Sequence, residues 1–237
     1  MTVPATTLAD VFAQHQHERP DAPLLLAPET GRQHTYGALG ADVAALDALL
    51  TAQGIGAGAH VGFLLPNGLA TSALFLATMI AGRVTVPLNL LSQAPQLAYV
   101  LAHSEVRCVF VSGEQAATLA AAVALLPTTA GATPGIAVVN IDVDVPLASQ
   151  LPLRTNAGAS AAPQANDPAL LMFTSGTTGK PKGALLTHAN LLHAARTVAA
   201  WHQLTPADRV LSSLPLYHIN GQCIATLSPF VSGGSIV

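Results

Sequence analysis

The stretch LMFTSGTTGKPKGALLTHAN, Leu171 to Asn190, closes an apolar run with six residues no larger than threonine, Thr174 to Gly179. Lys180 and Lys182 then flank Pro181. Successive backbone N–H groups in such a turn form a concave donor surface, and glycine lets the backbone approach an anion closely. The hydroxyls of Thr174, Ser175, Thr177 and Thr178 add donors, and the two lysines add charge of the matching sign. That combination suits a polyphosphate. On composition alone an ordinary solvated hairpin loop serves equally well, because Gly and Thr are common turn residues. The Walker pattern G-x-x-x-x-G-K-[ST] fails on spacing: it needs glycine at Thr174 and a hydroxyl at Pro181. The chain also returns into an apolar run, Gly183–Leu186, and opens no helix that would present its dipole to phosphate.

The surrounding pattern predicts a mostly parallel α/β fold built from βαβ units. Short β-branched runs at Val61–Leu65, Val84–Pro87, Arg107–Ser112 and Ile136–Ile141 alternate with helical spacing at Leu69–Ala81, Gln93–His103 and Glu114–Leu126. Upstream, Thr7 to Asp10 reads as a capping box, and Tyr36 to Gln53 as a helix stopped by Gly54. Residues 146–168 lose periodicity and read as a linker, which divides the chain into a first α/β unit, 1–165, and the start of a second, 166–237. In that second unit Leu170–Phe173 and Gly183–Leu186 flank the loop as strands. Thr187 caps a helix reaching about His202, Arg209–Ser212 is a strand, and an apolar helix follows Pro215 to His218.

TSGTTGKPKG resembles the signature loop of the adenylate-forming superfamily, which includes acyl-CoA synthetases, amino-acid adenylation domains and luciferases. HVGFLLPNGLATSALFLATMIAGRVTVPLN is similar to that family's early strand–helix–strand block, and SLPLYHINGQ to its histidine-containing motif. The resemblance implies that Thr174, Ser175, Gly176, Thr177, Thr178, Gly179, Lys180 and Lys182 hold the β- and γ-phosphates of ATP, with Lys182 and Thr178 acting on the departing pyrophosphate. It implies that Tyr217, His218, Asn220 and Gly221 line the acyl pocket, with the His218 ring positioning and gating and Gly221 leaving room for acyl chain or adenylate. It further implies a carboxylic acid substrate, ATP, Mg2+ and CoA. The expected reaction is ATP-dependent formation of an acyl-adenylate followed by transfer to CoA. An amino-acid adenylation domain loading a carrier protein is the alternative, and a non-catalytic folded fragment a third reading. The nucleophile in this chemistry is already an anion, in keeping with a sequence that shows no paired-carboxylate or Ser-His-Asp pattern.

Charged residues make up 9% of the 237, against about a quarter in an average domain. Net charge is −3, so no electrostatic footprint for nucleic acid is present. The apolar stretch Leu69–Gly82 is separated from Val61–Leu65 by Pro66-Asn67-Gly68, and a membrane span needs roughly 20 unbroken apolar residues. No secretory signal is visible, and Cys108 and Cys223 read as buried thiols of a cytoplasmic protein. No histidine has metal-ligand spacing, so no metal ligand is predicted. No charged residue follows Arg209. The expectation is an N-terminal portion of a longer enzyme, its C-terminal domain absent, inactive by itself and open to oligomerisation through exposed apolar surface.

Overall fold

The computed structural model describes residues 5–127, 135–152, 161–174 and 181–237. Helix α1 (Leu8–Glu18) starts where the Thr7 hydroxyl accepts the Asp10 N–H, while the Asp10 carboxylate takes the N–H groups of Thr6 and Thr7. Strands β1 (Pro23–Ala27) and β2 (Arg32–Thr35) form an antiparallel pair leading into α2 (Tyr36–Ala52). That helix ends at Gly54, whose φ of +71° lies in the left-handed region where a side chain would be strained.

The alternation then follows the sequence pattern: β3 (His60–Leu64), α3 (Leu69–Ile80), β4 (Val84–Pro87), α4 (Ala94–Ser104), β5 (Cys108–Val111), α5 (Ala116–Ala124) and β6 (Ala137–Asn140). A short α6 (Leu147–Gln150) lies within the stretch expected to be linker. It is tied down by Asp42, a fully buried α2 carboxylate that accepts from the Ala148 N–H and pairs with His34. Next come β7 (Pro168–Thr174), β8 (Lys182–Thr187) and α7 (His188–Trp201), whose N-terminus Thr187 and Asn190 cap reciprocally. β9 (Arg209–Val210) precedes a π-helix (Asn220–Leu227) that runs into α8 (Ser228–Ser232) and β10 (Ser235–Ile236).

Six strands in the order β6-β5-β3-β4-β7-β8 form the main sheet, parallel except for β8. A second sheet runs β2-β1-β10-β9. Both sheets therefore draw strands from each side of the expected division at residue 165: β7 pairs with β4, and β10 with β1. The main sheet is covered on both faces, and period-two alternation sorts its side chains. Val61, Phe63, Cys108, Phe110, Leu170 and Met172 pack on the side of α2, α3 and α7; Leu64, Val84, Val86, Val109 and Val111 pack on the side of α4 and α5. Each fully buried side chain of this size contributes roughly 1.5–3 kcal/mol of transfer free energy. That burial fixes the strand ends relative to one another.

Candidate active site

The glycine-rich sequence connects β7 to β8, which pair antiparallel. Thr174 pairs in register with Lys182, so the two ends of the loop lie side by side on antiparallel strands. Both residues are exposed. Leu170 and Met172 of β7 are buried, so the strand leaves the core just before the hydroxyls begin. Residues 175–180, which carry the expected roles of Ser175, Gly176, Thr177, Thr178, Gly179 and Lys180, lie outside the described residues.

At the carboxyl ends of β4 and β7 opens a cavity of about 460 Å3. Its wall combines Asn89 after β4, Ser92 and Gln96 at the start of α4, Phe173 and Thr174 of β7, Pro181 entering β8, and Tyr217 and His218. Ligands of open α/β sheets bind at this edge, outside the carboxyl ends of the strands. Among the described residues its lining carries hydroxyl, amide, phenol and imidazole groups and no carboxylate. Asn89 commits its Oδ1 to the Leu91 N–H (2.9 Å) and Gln96 its Oε1 to the Gln93 N–H (3.1 Å), which leaves both carboxamides as NH2 donors. The rest of the wall, including Leu88, Leu97, Val100, Met172, Phe173 and Ile219, is apolar, so the cavity combines an apolar surface with a few polar groups, as small-molecule sites do. Among the described residues no group of three or more His, Cys, Asp or Glu is placed to hold a metal.

His218 is exposed, its ring centroid 5.9 Å from that of Tyr217 and tilted by 46°. Of the four expected pocket residues, Tyr217 and His218 line the cavity; Asn220 and Gly221 are not part of its wall. Gly221 is buried, and a Cβ there would sit 2.5 Å from the Pro215 carbonyl oxygen and 2.9 Å from that of Leu214. Its missing side chain makes room for the protein's own backbone. Cys223, buried on the π-helix, has its thiol pushed up by burial and is no candidate nucleophile.

Asn67, Asn89, Ser92 and Gln96 were not singled out from the sequence. Asn89 stood at the end of the VTVPLN block, and Asn67 registered only as part of a strand-breaking Pro-Asn-Gly. A larger cavity of about 600 Å3 lies at the opposite edge of the sheet, beside His60, Glu105, Arg107 and Ile136. None of the sequence-predicted residues lines it, so it plays no part in the site.

The model of the AMP-binding enzyme family matches residues 12–237, and the chain belongs to that family. It is 45% identical over 235 residues to the sulfoacetate–CoA ligase of Cupriavidus necator, covering 98% of this chain and 44% of that protein. It is 34% identical over 209 residues to the feruloyl-CoA synthase of an Amycolatopsis species, covering 87% of this chain and 39% of that protein. Among solved structures, ATP-bound MatB from Rhodopseudomonas palustris superposes with a TM-score of 0.79 at 28% identity, over 96% of this chain and 44% of that one. The chain thus spans less than half the length of these relatives.

Proposed function

We propose that this chain forms the phosphate-loop and acyl-pocket portion of an ATP-dependent acid–CoA ligase. The observation that carries the reading is the convergence in one cavity of Thr174 and Pro181, at the two ends of the glycine-rich loop, with Tyr217 and His218. In this reading the substrate carboxylate attacks the α-phosphorus of ATP, the bond to the β-phosphate oxygen breaks, and pyrophosphate leaves with the electron pair. Residues 174–182 stabilise the charge on that leaving group, Lys182 by its ammonium and Thr174 and Thr178 by their hydroxyls. Tyr217 and His218 form the wall against which the acyl group lies. The CoA thiolate then attacks the acyl carbonyl and AMP departs.

The names of its relatives, a sulfoacetate–CoA ligase and a feruloyl-CoA synthase, support CoA as the acceptor and a carboxylic acid as substrate. Pyrophosphate exchange with ATP and a panel of acids headed by sulfoacetate tests the reading. We expect no enzyme-like turnover from this chain alone. The polypeptide extended to its relatives' length should exchange with at least one acid, and Lys182→Met should cut that rate by about 100-fold, the usual cost of removing one charge-stabilising group. Failure of the extended protein with every acid, or exchange untouched by Lys182→Met, would sink it.

A further inference from the structure

Two carboxamide side chains grip the segment that delivers Tyr217 and His218 to the cavity. Asn67, in the turn after β3, donates from Nδ2 to the Leu214 carbonyl (2.9 Å) and accepts the Leu216 N–H on Oδ1 (3.0 Å). Gln222, in the first turn of the π-helix, donates from Nε2 to the Leu216 carbonyl (2.6 Å). Leu216 therefore has both main-chain polar groups held by side chains that arrive from different elements. A carbonyl only accepts and an N–H only donates, so these partners fix which end of each carboxamide faces where.

The residues next in line are Tyr217 and His218. The His218 N–H donates to the Pro215 carbonyl (2.9 Å), and its own carbonyl accepts the Gln222 N–H (3.1 Å). Leu214, Leu216 and His218 are thus each bonded to Asn67 or to Gln222. Gln222 is fully buried, yet its Oε1 has no hydrogen-bond partner. An unpaired buried acceptor carries a desolvation cost that an apolar side chain of equal size would avoid. Methionine would fill the space, and what only the carboxamide supplies is the grip on Leu216. A π-helix is rare and recurs at functional sites, and here it sets the direction from which Gln222 reaches that carbonyl.

We propose that Asn67 and Gln222 are positioning residues that set the placement of the Tyr217–His218 wall, acting through the backbone of Leu216. The inference deepens the ligase reading and rests on it for what the cavity binds, but its geometry can be tested without any chemistry. The experiment is NMR of this chain with labelled histidine and tyrosine, the His218 signals being identified by their loss in His218→Asn. Asn67→Ala removes an exposed side chain and should fold. It should shift the His218 and Tyr217 ring resonances and lower the order parameters of residues 216–219. Gln222→Met should reproduce that loosening with little change in Tm. Leu46→Ala, a truncation of a fully buried α2 residue, should lower Tm more and leave the two rings' resonances in place. Unmoved ring resonances in folded Asn67→Ala, or equal movement in Leu46→Ala, would overturn the proposal, whether or not Gln222→Met folds. Failure of the ligase reading would appear separately, as absent pyrophosphate exchange in the extended protein.

Discussion

His188 opens α7 and is fully buried; its Nδ1 accepts the Leu8 N–H (3.3 Å) and its Nε2 has no partner. Burial holds its pKa below the ordinary value of 6.5, and burial does the same for His15, packed between Tyr36 and Phe230. Protonating Nδ1 would set a donor against the Leu8 N–H. As pH falls through about 6.5, the unfolded chain takes up protons that the folded chain refuses, so stability drops with falling pH. Urea midpoints at pH 7.5 and 5.5 should show that loss, and His188→Asn should reduce it; a midpoint independent of pH in this range would contradict the argument. At the same scale, Gly221 is defined by its missing Cβ. Gly221→Ala should cost about 1–3 kcal/mol by forcing the Pro215 backbone to move, readable as a lowered denaturation midpoint.

Arg83 joins two elements in a way that only the folded chain reveals. It is fully buried between the C-terminal end of α2 and the turn from α3 into β4. There its guanidinium pairs with Asp47 and donates to Thr51 Oγ1 (3.0 Å), the Ile55 carbonyl (3.1 Å) and the Ala81 carbonyl (2.7 Å). Arg83→Met keeps much of the volume but leaves those acceptors without their donor, and should cost about 3–5 kcal/mol in chemical denaturation. A loss under about 1 kcal/mol would mean that water replaces the guanidinium. Helices and strands themselves were readable where local chemistry decides them: the Thr7–Asp10 and Thr187–Asn190 caps, the stop at Gly54, and the β-branched runs that became β3, β4 and β5. Partnerships between distant residues were not. Nothing local joins Asn67 to Leu216 or Arg83 to Asp47, and the backbone of the π-helix is set by packing and by the Thr226 bond to the Gly221 carbonyl (2.8 Å), so its sequence reads only as an apolar helix. The cavity was legible through the loop and PLYHING, while its α4 wall had no signature.

Across the whole molecule, apolar surface remains uncovered. Trp201 is 85% exposed and Leu211 69%, and β8, at the edge of the main sheet, presents Leu185. Among the described residues no helix is long and apolar enough to cross a membrane. Edge strands with exposed apolar residues favour pairing with another chain. Light scattering across a concentration series should therefore give a mass rising above 24.1 kDa, and Leu185→Lys should bring it back. A constant monomer mass would count against this. The parallel pairing of β1 with β10, Leu25 opposite Ile236, carries a consequence in time. A ribosome releases Leu25 long before Ile236 exists, so the β1–β2 hairpin must wait, one edge open, until the residues between them are made. Closing so long a loop comes late and slowly. The main sheet, whose strands all lie before His188, can assemble first; the small sheet then joins β1 to β10.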